Sequence, residues 1–331
     1  MKRPRYLPDN FTLVLVLTVT LSSIFPCQGK AAELFDWVTN LAIALLFFMH
    51  GAKLARQSII MGLLHWRLHL LIFCLTFVIF PLLGICLKPI LSPLITPTLY
   101  IGILYLCTLP ATVQSAIAFT SLARGNVPAA ICSASGSSLL GIFITPLLVG
   151  IIINTSGSLE SASTLQAMEK IMLQLLLPFI AGQLMRPLIG NFVDNHRGIL
   201  RNVDQSSILL VVYTAFSSAV IEGLWSKTPL PAIIGLILVC CILLAIVLFC
   251  STILSRFFNF NKEDEITIVF CGSKKSLASG VPMAQVLFAG STMGSILLPL
   301  MIFHQIQLIV CAFIAQHYAK RPMNQKSNTN S

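Results

Sequence analysis

The chain has 331 residues, of which 56% are hydrophobic and only 10% are charged, and its formal net charge is +10. Soluble domains carry roughly 25% charged residues, so this composition excludes a water-soluble fold and indicates an integral membrane protein. The positive balance does not indicate a nucleic-acid partner, because the charges lie in short loops between apolar runs.

Apolar runs recur along the whole chain, and a membrane-spanning helix needs about 20 such residues, or fewer when its ends are amphipathic. The first run follows three basic residues like a signal peptide, but no small-residue cleavage site follows it, so we expect it to be retained as a span. Ten spans are predicted, at Phe11–Phe25, Leu34–Gly51, Leu68–Leu87, Pro97–Ser121, Val127–Ile153, Ile171–Met185, Ser206–Ile221, Pro231–Leu254, Ile266–Ala289 and Thr292–Tyr318.

The distribution of Lys and Arg predicts the orientation of these spans. With the N-terminus in the cytoplasm, fifteen of the 21 basic residues fall on the cytoplasmic side and four fall outside, and the other two lie within span nine. Short cytoplasmic loops carry an excess of Lys and Arg. The pattern therefore predicts an even number of spans with both termini in the cytoplasm, and we expect a bacterial inner membrane.

The longest predicted loops, around Asn154–Glu169 and Pro187–Gln205, are too short for a soluble domain. Residues 1–331 are thus predicted to form a single membrane unit, with residues 322–331 as a polar cytoplasmic tail. Ten spans divide into two repeats, about residues 11–153 and about residues 171–318. Five spans in each repeat make the two halves inverted in the membrane, which is a common plan in secondary transporters.

Helix-breaking residues occur in the fourth and ninth spans, at corresponding positions of the two halves. Inverted-repeat transporters interrupt one helix in each half, and the freed backbone groups bind ions or anionic substrates. Pro110 removes a helical hydrogen bond in span four, and Gly272–Pro282 interrupts span nine. We predict that both spans are unwound and form a site; the alternative is that these residues only kink ordinary spans. Besides Pro110, the candidate binding residues are Thr112, Gln114, Ser115, Ser273, Lys274, Lys275, Ser276 and Ser279.

Lys274 and Lys275 lie in the middle of span nine, where a charge costs at least ~2.5–3.5 kcal/mol. Such a charge is expected to face a cavity, a partner or a passing ion; the alternative is that the lysines extend to an interface. Adjacent helical residues point about 100° apart, so only one lysine is expected to be functional. A buried lysine can also take up and release a proton during a transport cycle.

Three segments resemble the bile acid:sodium symporter (BASS) family: Phe77–Leu83, Leu122–Val127 and Ile144–Leu148. Lys275–Leu277 and Gly125–Ala130 are similar to its YfeH-type branch, which is related to the seventh member of solute carrier family 10. The resemblance implies an all-α fold of ten spans in panel and core subdomains, with spans four and nine crossing at their unwound centres. It also places Lys275 ahead of Lys274 as the functional lysine.

The chain departs from this family where the resemblance implies sodium ligands. Because the carboxylate is missing, the usual sodium sites cannot be carried over, and either Na⁺ or H⁺ remains open as the coupling ion. Ser133 and Ser137 lie near the replaced positions of span five. The replacements are Ser273 for a Glu, Leu277-Ala278 for an amide pair, Ala116 for an Asn, Thr76 for a Gln, and Ala130 and Ala134 for two hydroxyl residues.

These observations predict a secondary active transporter of a small organic anion that works by alternating access in membrane lipid. The alternative is a non-transporting regulatory membrane protein that acts on ion homeostasis. No nucleotide-binding or hydrolase motif is present, so we expect no enzyme and no cofactor beyond a coupling ion. In span ten, His304 and Gln307 are further candidates to line the cavity, or they form a structural hydrogen bond between helices. Oligomeric state stays open.

Overall fold

The structure, a computed structural model, describes residues 10–53, 65–91, 93–154, 161–221, 223–288 and 293–321. All regular secondary structure within these ranges is helical. Seven helices are long and apolar enough to cross a membrane, and an eighth span results if one bent pair of helices is counted together. The chain is therefore a polytopic helical membrane protein, as its composition predicts.

Twelve helices of more than one turn lie in the described ranges, and every predicted span overlaps one of them or a consecutive pair. Two single-turn helices, Lys88–Leu91 and Leu224–Lys227, lie in connections. The predicted tail 322–331 and the junction of the last two spans, 289–292, lie outside the described residues. The helices are α1 Asn10–Ile24, α2 Lys30–Lys53, α3 Trp66–Cys86, α4 Pro97–Thr108, α5 Val113–Leu122, α6 Val127–Asn154, α7 Ser161–Asn195, α8 Arg197–Ile221, α9 Leu230–Phe257, α10 Lys262–Gly272, α11 Leu277–Leu287 and α12 Met293–Ala319.

The two long loops predicted on either side of span six are largely wrong. Helix α7 begins at Ser161 and continues past Pro187 to Asn195, and α8 begins at Arg197. The apolar runs mark only the part of a helix that lies in hydrocarbon, whereas polar turns extend these helices at both ends. Arg186 in the extension donates to the carbonyl oxygen of Ala52 and forms an ion pair with Asp194 at 3.6 Å.

Helices α2 and α7 pack backbone against backbone, which two glycines permit. A Cβ atom at Gly51 would lie 2.0 Å from the carbonyl oxygen of Phe179, and one at Gly182 would lie 1.9 Å from the carbonyl oxygen of Phe48. Small residues allow such close approach between membrane helices. The α2–α7 pair forms one wall of the cavity described below.

Most of α4, α10 and α11 lies in the interior of the protein, whereas α5 is only partly buried. In α10, every residue from Asp264 to Gly272 is buried, and Tyr105 of α4 is fully buried and donates its hydroxyl to the carbonyl oxygen of Gly280 in α11. The polar groups of the second broken segment, Lys274 and Lys275 among them, are thus enclosed by neighbouring helices rather than by lipid. This enclosure is what permits backbone breaks and lysines within a membrane protein.

Candidate functional site

The breaks in α4–α5 and α10–α11 contact each other. The axes of α4 and α5 differ by 64°, and the backbone is extended at Leu109 and Thr112. The second break separates Gly272 from Leu277. The backbone N–H of Ser276 donates to the carbonyl oxygen of Pro110 at 2.9 Å. The structure thus joins the two interrupted segments by a hydrogen bond between their unwound backbones.

Lys275 reaches across this junction and bonds to three main-chain carbonyl oxygens. Its Nζ donates to Thr76 at 2.8 Å, to Cys107 at 2.8 Å and to Leu109 at 2.7 Å. The Phe80 ring centroid lies 4.1 Å from the same nitrogen. The side chain is fully buried, so these groups replace the whole hydration shell of the ammonium.

These three carbonyl oxygens lack helical partners because of the break at Pro110 in one helix and a π-helical turn before Pro81 in the other. The break at Pro110 leaves Cys107 and Leu109 outside the helical ladder, and the N–H of Ala111 donates instead to Ser137 Oγ at 3.0 Å. In α3, residues 75–79 form a π-helical turn in which Phe80 N–H bonds to Leu75. The next residue, Pro81, has no N–H. The carbonyl oxygen of Thr76 therefore remains available to Lys275.

Lys274 points away from Lys275 and has a different environment. Its Nζ lies 3.8 Å from the Phe119 ring centroid and 5.9 Å from that of Phe270. Within the described residues it has no hydrogen-bond partner, and it is fully buried. Both lysines thus lie behind the cavity wall, whereas the sequence predicted that one of them faces a cavity, a partner or an ion.

Gln307 of α12 supports the break at Lys275. Its Oε1 accepts from the backbone N–H of Lys275 at 2.9 Å, and its Nε2 donates to the carbonyl oxygen of Lys275 at 3.0 Å. The same Nε2 lies 2.9 Å from His304 Nδ1. Gln307 therefore bonds to both the backbone N–H and the backbone carbonyl of Lys275 at the helix break, and His304 extends this network to the cavity.

A cavity of about 360 Å³ lies beside the junction. Both helices that begin after the breaks, α5 and α11, present their first turns to it. Helix N-termini carry a partial positive charge and favour anions. The polar lining on this side is Thr112, Gln114, Ser115, Ser135, Ser138, Ser276, Ser279 and His304.

Two hydroxyls of this lining, Thr112 Oγ1 and Ser115 Oγ, are buried and have no hydrogen-bond partner within the described residues. Ser276, in contrast, caps α11 by accepting from the N–H of Ser279 at 3.1 Å. The start of α5 has no such side-chain cap. The first turn of α5 is therefore the part of the cavity wall that is best prepared to donate hydrogen bonds to a ligand.

The opposite wall comes from α2, α7 and α8 and combines apolar and charged residues. Phe47, Phe179 and Ile208 form its apolar part. Lys53 forms an ion pair with Asp204 across this wall. The charged and polar residues here are His50, Lys53, Arg201, Asp204 and Gln205. The sequence prediction named none of these five as binding residues, and it assigned the last three to a loop.

Four other candidate residues bind within the protein rather than at the cavity. Ser273 Oγ donates to Val269 at 2.6 Å, and Thr76 Oγ1 donates to Ile72 at 2.8 Å. Ser133 Oγ lies 2.7 Å from His69 Nδ1, between α3 and α6, and Ser137 supports Ala111. Across the described ranges, no group of three or more His, Cys, Asp or Glu could hold a metal ion.

The turn that follows α5 ties the two broken segments together at a second place. Asn126 Nδ2 donates to Asp264 Oδ1 at 2.8 Å, and the backbone N–H of Asn126 donates to the carbonyl oxygen of Glu263 at 3.1 Å. Gly125 is tightly enclosed, since a Cβ there would lie 2.6 Å from Ile266 Cγ2. This is the same turn that carries the resemblance to the symporter family, and its role in the structure is to dock α5 onto α10.

Comparison with known proteins agrees with this arrangement. Residues 9–320 match the SBF-like CPA transporter family (DUF4137). An uncharacterized protein of Pseudomonas aeruginosa is 64% identical over 97% of this chain and 96% of its own length. The Escherichia coli protein named "Putative symporter YfeH" is 56% identical, over 95% and 93%. Sodium/bile acid cotransporter 7 of Danio rerio is 28% identical, over 91% and 90%.

These matches confirm the family resemblance predicted from the sequence motifs. They cover the segments that form both helix breaks and both cavity walls. The chain belongs to the SBF-like CPA transporter family, a transporter family of the bile acid:sodium symporter type.

Proposed function

We propose that the protein is a secondary active transporter that carries a small organic anion across a bacterial inner membrane by alternating access. In this proposal, its helices form ten spans in two inverted repeats of five, with both termini in the cytoplasm. The pairs α4–α5 and α10–α11 are the fourth and ninth spans. Support comes from the helix order, which places one broken segment fourth in each half, and from the distribution of basic residues.

The observation that carries the proposal is the contact of Lys275 Nζ with three main-chain carbonyl oxygens at 2.7 to 2.8 Å. Such oxygens are ligands for a monovalent cation, and a lysine offers three N–H donors to them only when it is protonated. Lys275 then takes the place of a bound coupling cation. Ser273 stands where the family resemblance implies a carboxylate, and the loss of that carboxylate fits a site that does not bind sodium.

The charge pattern of the cavity supports an anionic substrate. The first turns of α5 and α11 bring two positive helix ends to one wall. On the other wall, Lys53 and Arg201 outnumber the carboxylate of Asp204. Phe47 and Phe179 offer apolar contact to the body of the same molecule. We therefore propose an organic acid with an apolar part, coupled to protons in preference to sodium.

The test uses the variant Lys275→Ala, which leaves three carbonyl oxygens and the Phe80 ring around an empty space. A buried carbonyl oxygen that is left without its hydrogen-bond partner costs about 1–3 kcal/mol. We expect a lower melting temperature for the purified variant in choline chloride, with recovery when methylammonium or sodium chloride replaces choline. Lys320→Ala, at an exposed lysine, is the matched control and should respond to neither cation.

Wild-type protein should be equally stable in sodium and choline salts, and specific stabilisation by sodium would contradict a lysine in place of the cation. Transport itself is tested in proteoliposomes, with an organic acid first selected because it raises the melting temperature. A ligand that binds but shows no gradient-dependent flux would instead favour the non-transporting, regulatory alternative.

A further inference from the structure

The side chain of Lys274 ends where no hydrogen-bonding group of the described residues reaches it. The nitrogen faces the Phe119 ring at 3.8 Å, with Phe270 beside it at 5.9 Å, and its exposed fraction is 0%. Lys275, one residue further, has three acceptors for its three N–H groups. Two consecutive residues thus carry buried amines, and only the amine of Lys275 has hydrogen-bond acceptors among the described residues.

A charged Lys274 is unfavourable in this environment. Removing an ammonium from water is costly even after the protein has relaxed. A cation–π contact offsets only part of this cost, and no acceptor of the described residues adds to it. The uncharged amine avoids most of this cost, so the conformation described favours Lys274 without its extra proton.

The groups around Lys274 belong to elements that would move in a transport cycle. Phe119 lies on α5, which belongs to the first broken segment, and Phe270 lies on α10, which belongs to the second. Cys311 of α12 packs in the same buried cluster as Phe119 and Phe270. A shift of α5 against α10 would therefore open the space around Nζ.

Other titratable groups on these elements are bonded elsewhere. Tyr318 of α12 packs on Phe270 at a centroid distance of 6.3 Å, and its hydroxyl donates to Glu265 at 3.0 Å. Glu265 also accepts from Lys262 and Arg256. The described carboxylate nearest along α10 is thus committed to its own cluster and does not neutralise Lys274.

We propose that Lys274 is a proton-exchange site, uncharged in the conformation described and charged in a second conformation in which its nitrogen reaches water or carbonyl oxygens. This rests on the proposed function, because alternating access supplies the second conformation. A ligand that binds one conformation better shifts the equilibrium towards it. Protons therefore shift the protein towards the second conformation, while Lys275 keeps its charge in both.

The test measures the conformation by alkylation of Cys311, which is fully buried in the same cluster as the two rings that face Lys274. Purified protein is treated with N-ethylmaleimide at a series of pH values, and each cysteine is quantified by mass spectrometry. Cys86, which is exposed, corrects for the intrinsic pH dependence of the reaction. The ratio of Cys311 to Cys86 labelling should rise as the pH falls, by up to about tenfold per pH unit for one proton.

Two substitutions with side chains of similar length fix the charge at position 274. Lys274→Met is always neutral and should keep the ratio low at every pH; Lys274→Arg is always charged and should keep it high. Lys320→Met, a charge change at an exposed site, should retain the wild-type profile. A flat wild-type profile overturns the proposal even if a variant fails to fold, and so does a Lys274→Met profile equal to that of wild type.

The same experiment separates this proposal from the transport function. A pH-dependent ratio without flux in proteoliposomes would leave the proton site standing and contradict the transport function. Flux with a pH-independent ratio would contradict the proton site alone.

Discussion

At the scale of single residues, the environment of Lys275 depends on two prolines that lie far from it along the chain. Pro110 frees the carbonyl oxygens of Cys107 and Leu109, and Pro81 cannot donate to that of Thr76. The sequence predicted a break at Pro110 and a functional role for Lys275. It could not predict the three acceptors, because they come from two helices whose distance depends on packing far along the chain.

Gln307→Leu is expected to destabilise the site without changing any charge. It removes the partner of the backbone N–H of Lys275, at 2.9 Å, and the partner of its carbonyl oxygen, at 3.0 Å. Each buried backbone group left without a partner costs about 1–3 kcal/mol, so the melting temperature of the purified protein should fall clearly. Gln316→Leu on the same helix is the control, since Gln316 is only half-buried; equal losses in the two variants would contradict the assigned role.

At the scale of elements, the break between α4 and α5 is shaped by α6 as well as by its own proline. Gly141 of α6 faces Pro110, and Ser137, one turn earlier, accepts the N–H of Ala111. The hydroxyls of span five were predicted as binding candidates because of their position near replaced sodium ligands. In the structure, Ser137 instead supports the unwound backbone, a role that requires knowing which face of α6 meets the break.

Gly141→Ala should therefore displace the break. The added Cβ would lie 2.6 Å from Pro110 Cβ and 2.7 Å from its Cγ, and overpacking of this kind costs about 1–3 kcal/mol. We expect a lower melting temperature together with weaker binding of any acid that stabilises wild-type protein. Gly136→Ala, one and a half turns earlier on α6 with open space around it, should be neutral or stabilising by up to about 1 kcal/mol. The prediction fails if the two alanine variants behave alike.

At the scale of the whole molecule, composition and apolar runs sufficed to predict a polytopic helical membrane protein, and the motifs sufficed for the family. Lengths of helices outside the apolar runs were not predictable in this way. Arg201 and Asp204 lie in a polar extension of α8 that carries no apolar signal, yet they form part of the cavity wall. A cavity between two groups of helices is a property of their packing, which local sequence patterns do not encode.

Electrostatics across this cavity provides the final prediction. Asp204 is the carboxylate in a lining that otherwise holds Lys53, Arg201 and two positive helix ends. Asp204→Asn removes this negative charge and the ion pair of Lys53, so an anion in the cavity should bind more tightly, by a few-fold or on the order of 1 kcal/mol. The measurement is the concentration of an organic acid that gives half-maximal thermal stabilisation, at low and high salt.

Asp36→Asn makes the same change of net charge at an exposed position of α2 and should leave the affinity unchanged. If Asp204→Asn weakens binding, Asp204 holds a donor group of the ligand rather than opposing its negative charge. In that case the substrate must carry a hydroxyl or an amine as well as its acid. If the affinity gain disappears at high salt, the effect acts through long-range attraction, because ions screen exposed charges beyond about 10 Å at 0.1 M.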